Sequence, residues 1–220
     1  MIQVKFCGIT NEEDALCAAN FGAAALGFIF YDNSPRYIEP SAARQIMLKL
    51  PPHIARVGVF VNESAAEIKR VIKYCGLDFI QLHGDETALF CRKFPSAQII
   101  KAVFLQNDED VEKACAYQVA AILVDNRNKG LYGGTGTSAD WKLARRLTGR
   151  KPLILSGGLN GKNIRQAMEK VVPDAVDINS GVEISPGKKD PHKMADLMRI
   201  LEKEKIDAQG ENLFSRRRGK

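Results

Sequence analysis

The chain has 220 residues, 45% of them hydrophobic and 26% charged, a globular composition that excludes a disordered or collagen-like chain. Its 32 Lys and Arg against 26 Asp and Glu give a net charge of +6, but Arg216, Arg217, Arg218 and Lys220 fall in the last five positions and leave only 28 against 26 before them. A basic excess confined to a terminus is not a basic binding face, so composition alone gives no nucleic-acid surface.

The longest nearly uncharged apolar stretch, residues 21–31, is about half of the roughly 20 residues that a membrane span needs. The first residues read as a short strand containing Lys5 rather than the apolar region of a secretory signal, so a cytoplasmic location is expected. The five cysteines, at 7, 17, 75, 91 and 115, form no Cys-x-x-Cys pair and are odd in number. Neither a disulfide framework nor a zinc site is expected from them.

From end to end the chain alternates short β-branched or aromatic runs with longer amphipathic stretches. The first predict strands over 3–7, 24–30, 54–61, 79–83, 98–103, 120–125, 153–156 and 175–179. The second predict helices over 12–21, 41–50, 65–74, 86–93, 108–117, 140–147, 163–171 and 192–205, several with N-caps such as Asn11 and Ser64. Mostly uncharged strands in strict alternation with helices argue for a parallel sheet covered by helices. Eight units select the closed barrel over the open sheet: an α/β fold, a single-domain (β/α)8 TIM barrel over residues 1–207. The remaining residues, 208–220, are expected to form a basic, solvated and flexible tail.

A barrel of this kind builds its site at the carboxyl ends of the strands. Cys7 and Gly8 follow the first strand, Arg36 the second, His83 the fourth, Asp125 the sixth, Gly157 and Gly158 the seventh, and Asp177, Ser180 and Gly181 the eighth. Each position has a plain structural reading beside the functional one. The thiol of Cys7 is either a small buried residue or a group facing the barrel mouth, and as a base it needs local positive charge. Asp125 ends an apolar run, where burial would raise its pKa and suit it to donate a proton; a helix cap or a salt bridge with Arg127 or Lys129 is the alternative. Arg36 serves either a surface ion pair or a substrate carboxylate. With three histidines in the chain and no ligand spacing nearby, His83 is expected to hydrogen-bond at the mouth rather than hold a metal.

Glycine turns at 157–158 and 180–181, each read as leading into a helix, occupy the place where phosphate-binding barrels hold a phosphate. The glycine-containing stretch 126–138, which includes Gly134 and Gly136, is long for a strand-to-helix loop and is expected to act as a lid.

Taken in order, Lys5-Phe6-Cys7-Gly8-Ile9-Thr10, Gly27-Phe28-Ile29-Phe30, Ser34-Pro35-Arg36-Tyr37, Gln81-Leu82-His83-Gly84, Gly133-Gly134-Thr135-Gly136, Ser156-Gly157-Gly158-Leu159 and the run 177–183 resemble the phosphoribosylanthranilate isomerase family of tryptophan biosynthesis. The resemblance spans residues 2 to about 205; Phe6, Ser156 and the pair Ile178-Asn179 depart from the family pattern without removing a charge. It implies an Amadori rearrangement without metal or organic cofactor, with Asp125 as acid and Cys7 as base. It also implies that Arg36 holds the substrate carboxylate, the glycine turns hold the phosphate, and Asp177 bonds a sugar hydroxyl, with His83, Gly134 and Gly136 also at the substrate. The expected partner is a small phosphorylated molecule, not nucleic acid or membrane, and the protein is expected to be a monomer or homodimer. The alternatives are another phosphate-binding barrel enzyme acting on a sugar phosphate, or a non-catalytic protein that binds through its basic tail.

Overall fold

The structure, a computed structural model, describes residues 2–125, 141–203 and 213–214. Eight parallel strands close into a barrel in sequence order: β1 (Gln3–Phe6), β2 (Ala25–Ile29), β3 (Ala55–Phe60), β4 (Phe79–Leu82), β5 (Ile99–Val103), β6 (Ala121–Val124), β7 (Leu153–Leu155) and β8 (Ala175–Ile178). Closure is made by β1 on β8, which sets Lys5 beside Asp177. The helices are α1 (Glu12–Asn20), α2 (Pro40–Met47), α3 (Ala65–Cys75), α4 (Ala88–Cys91), α5 (Asp108–Ala116), α6 (Trp141–Arg145), α7 (Ile164–Val171) and α8 (Pro191–Lys203). No helix among the described residues is long and apolar enough to cross a membrane.

Local chemistry starts and stops these elements. Asn11, Ser64 and Asn107 each accept a hydrogen bond from a backbone N–H three residues on, capping α1, α3 and α5. Gly76 ends α3 in the left-handed conformation. Alternate strand residues then divide the core. Phe6, Leu26, Phe28, Leu82, Ile122 and Leu155 belong to the layer shared with the helices. Ala25, Val57, Phe79, Ile100, Leu123 and Ile154 fill the barrel interior instead.

Three features differ from the sequence expectation. Helix α4 has four residues where eight were expected, because the Glu86 carboxylate accepts from the backbone N–H groups of Asn62 and Gly84 and pairs with the buried Lys101. The chain beyond β8 forms a small antiparallel hairpin, β9 (Glu183–Ser185) and β10 (Lys188–Lys189). Within the segment expected to be a solvated tail, Phe214 is 2% exposed and meets Phe79 edge-on at 6.0 Å between ring centres. Its N–H donates to Gln3 Oε1 at 3.1 Å, which ties it to the amino-terminal end of the barrel. An aromatic ring gains too much by leaving water to stay on the surface when an apolar floor lies within reach.

Candidate active site

At the carboxyl ends of the strands lies a cavity of about 560 Å³. Cys7, Arg36, His83, Asp125, Gly157, Gly158, Asp177, Ser180 and Gly181 all line it, from the ends of β1, β2, β4, β6, β7 and β8. Gly134 and Gly136, and the lid expected over 126–138, lie outside the described residues.

Cys7 follows β1 directly, and its N–H donates to Ile178 O at 2.8 Å, so the sulfur sits at the rim of the barrel. Burial pushes the thiol above its ordinary value, and the Lys5 ammonium pulls it partly back. Lys5 is 0% exposed and lies 2.7 Å from Asp177 Oδ1. For Lys5, burial works against the charge, but the opposite charges of Asp177 and Cys7 outweigh it and carry its pKa above the ordinary lysine value. The second Asp177 oxygen accepts from Ser156 Oγ at 3.4 Å.

Across the cavity, Asp125 Oδ2 is 3.0 Å from His83 Nε2, and His83 Nδ1 is 2.7 Å from Gln81 Nε2. With the Gln81 amide donating to Nδ1, Nε2 is the ring nitrogen left to donate to Asp125. Gln81 Oε1 is buried and has no hydrogen-bond partner among the described residues. Of the partners considered for Asp125 in the sequence, Arg127 and Lys129 lie outside the described residues.

Arg36 lines the cavity and forms an ion pair that is largely buried, not the surface pair expected from the sequence. Its Nε and Nη2 donate to both oxygens of Glu183 at 2.7–3.1 Å. The buried Lys189 adds a second cation to Glu183 at 2.9 Å. Burial alone would raise the Glu183 carboxyl, but Arg36 and Lys189 outweigh it and hold it below the usual range. Burial holds the Lys189 ammonium below its own ordinary value despite Glu183. Of this trio, Arg36 lines the cavity, and Glu183 and Lys189 stand behind it.

The two glycine turns interlock. Gly157 and Gly158 have φ of 89° and 69°, the left-handed region that side chains with a Cβ rarely enter. A Cβ on Gly181 would stand 1.9 Å from Leu159 O, so the turn after β8 presses on the turn after β7. The expectation that Gly157 and Gly158 lead directly into a helix is corrected. Helix α7 begins only at Ile164, after a turn in which Asn163 Oδ1 accepts from Asn160 N at 2.8 Å. A three-residue 3₁₀ turn, Ser180–Val182, follows β8 closely.

Of the polar residues at this site, Lys5, Gln81 and Glu183 enter the sequence reading only as parts of motifs, with no role of their own, and Lys189 does not enter it. Charged side chains inside otherwise buried strands were the available signal for Lys5, since a lysine there needs a partner. For Lys189 no signal existed, because the hairpin that brings it to Glu183 was not foreseen.

A closed (β/α)8 barrel whose strand ends gather an acid, a thiol, an arginine and two glycine turns is a barrel enzyme built to bind a small phosphorylated molecule. The comparisons with known proteins agree. Residues 4–199 match the family model described as N-(5'-phosphoribosyl)anthranilate (PRA) isomerase. The chain is 53% identical over 194 residues to N-(5'-phosphoribosyl)anthranilate isomerase of Syntrophus aciditrophicus, covering 88% of this chain and 84% of that one. The crystal structure of phosphoribosyl anthranilate isomerase from Thermotoga maritima superposes with a TM-score of 0.85 at 45% identity, over 92% of this chain and all of the other. A phosphoribosyl anthranilate isomerase solved with reduced 1-(o-carboxyphenylamino)-1-deoxyribulose 5-phosphate gives 0.81 at 44% identity, over 90% and 97%. The chain belongs to the N-(5'-phosphoribosyl)anthranilate isomerase family, and it is an isomerase.

Proposed function

We propose that Cys7 and Asp125 divide the proton transfers of the reaction this chain catalyses in tryptophan biosynthesis, the Amadori rearrangement of N-(5'-phosphoribosyl)anthranilate to 1-(2-carboxyphenylamino)-1-deoxyribulose 5-phosphate. The observation that carries the assignment is the placement of the thiol and the carboxyl at the ends of β1 and β6, both lining one cavity.

Asp125 gives a proton to the ribose ring oxygen as the C1–O bond breaks, and the anthranilate nitrogen lone pair forms the C1=N bond of a protonated Schiff base. Cys7, as thiolate, takes the C2 proton. The C–H electron pair becomes the C1=C2 bond, and the C1=N pair returns to nitrogen, giving the enolamine. Loss of the hydroxyl proton and protonation at C1 complete the ketone. His83 orients Asp125, Arg36 meets the substrate carboxylate, Asp177 bonds a sugar hydroxyl, and the turns at Gly157, Gly158, Ser180 and Gly181 hold the phosphate. Gly134 and Gly136 complete the proposed set of substrate-binding residues. Holding both ends of one small molecule supplies orientation, and acid and base each add about 10²–10⁴-fold. This reading needs no metal, organic cofactor or nucleic acid. The protein works in the cytoplasm as a monomer or homodimer, with residues 1–207 as the catalytic domain.

The test is to generate phosphoribosylanthranilate in situ and follow its fluorescence. Addition of the protein is expected to abolish the signal as product forms, and a signal that persists overturns the reading.

A further inference from the structure

Lys5 and Cys7 are two residues apart at the β1 end of the barrel, a spacing that sends both side chains to the same face. Lys5 is wholly buried. Its ammonium lies 2.7 Å from the Asp177 carboxylate and close to the Cys7 thiol, whose charge also acts on it. Space for this meeting comes from β2. A Cβ on Gly27 would stand 2.7 Å from Cys7 Sγ and 3.0 Å from Lys5 Nζ, so any other residue there would force the thiol or the ammonium aside.

A lysine is seldom fully buried, because its charge costs several kcal/mol to desolvate unless an opposite charge compensates. Asp177 alone would serve that purpose, yet Asp177 also repels a thiolate at Cys7. The charged groups that act on the sulfur include Lys5 on β1, Asp177 on β8 and Lys189 on β10. Of these, Lys5 shares a face with Cys7, meets it in the space over Gly27 and is the cation that acts on it most strongly.

We propose that Lys5 is a positioning residue for the reaction: its buried ammonium, held by Asp177 and given room by Gly27, aims the Cys7 sulfur and stabilises it as the thiolate that removes the substrate's C2 proton. Lys5 keeps its proton throughout, and the abstracted proton resides on Cys7 as the thiol. The proposal rests on the reading of Cys7 as base.

The test measures the sulfur first without turnover. Cys7 is alkylated with iodoacetamide across a pH series, and the modified peptide is quantified by mass spectrometry in the wild type, Lys5→Met and Lys5→Arg. Removing a neighbouring opposite charge is expected to move the alkylation midpoint up by about 1–2 pH units. The ascending limb of kcat/KM is expected to move with it, and Lys5→Arg to restore part of the shift. Where Lys5→Met does not fold, Lys5→Met with Asp177→Asn removes both buried charges and is expected to keep the midpoint above the wild-type value. An unchanged alkylation midpoint in a folded variant overturns the proposal. A shifted midpoint with an unmoved activity limb overturns the reading of Cys7 as base, as does near-normal turnover of Cys7→Ser.

Discussion

Arg36, in the loop after β2, closes a two-pronged ion pair with Glu183, a residue 147 positions further along the chain. The pairing uses Nε and Nη2 and so fixes the plane of the guanidinium. It also ties the loop after β2 to the hairpin after β8, across the closure of the barrel. Replacing Glu183 by Gln weakens that hold while keeping its shape. Expected for Glu183→Gln is a KM raised about tenfold with kcat little changed, the signature of lost uniform binding. Because Arg36 and Lys189 hold the Glu183 carboxyl below its usual range, its stabilisation is present above the unfolded value of about 4.3 and is lost as pH falls through the lowered one. Urea unfolding at neutral and acid pH should show the wild type losing more stability than the variant.

The acid and base assignments predict a shared kinetic outcome. Cys7→Ser and Asp125→Asn should each lower kcat by about 10²–10⁴-fold with unchanged circular dichroism. Since burial holds the Cys7 thiol above its ordinary value, kcat/KM should rise from neutral pH into the alkaline range as the thiolate fraction grows. A profile that falls over that range in the wild type argues against a thiolate base.

Gly181 tests the coupling of the two phosphate turns. A methyl group there would collide with Leu159 O, and relief requires the turns to part. Displacements of about 1 Å at a binding site cost up to 10²-fold. Gly181→Ala should therefore raise KM for the substrate and weaken binding of inorganic phosphate, measured by calorimetry, by a similar factor.

Phe214 offers a prediction about stability alone. Phe→Ala at a buried site costs about 3–5 kcal/mol, and detachment of a terminal segment can only reduce that figure. A loss of up to about 3 kcal/mol in urea unfolding is expected for Phe214→Ala, with kcat unaffected because the ring packs on Phe79 in the floor cluster, apart from the residues that line the cavity. The exposed side chains of Leu48 and Leu89 should tolerate alanine with much smaller effects.

Much of the architecture could be read from local pattern. Eight mostly apolar runs alternating with eight amphipathic ones left few arrangements open, and the observed strands follow the expected segments within a few residues. Cys7, Asp125 and the glycine turns stood out because a polar residue or a glycine directly after an apolar strand is conspicuous in one dimension. Helix α4 was overestimated because Glu86, a good helix former by propensity, is drawn off to Lys101 and to backbone N–H groups that belong to other parts of the chain.

Periodicity and turn chemistry, which act between near neighbours, determined the barrel and the strand ends that carry the site. Tertiary structure alone decided what each of those residues meets. Asp125 pairs with His83, Arg36 with Glu183, Lys5 with Asp177 and Cys7, and Phe214 with the barrel floor. Most of these pairs are separated by tens to hundreds of positions, so no local pattern records them. Barrel closure brings them together and excludes water around them, and burial makes each contact strong enough to set a charge or an orientation.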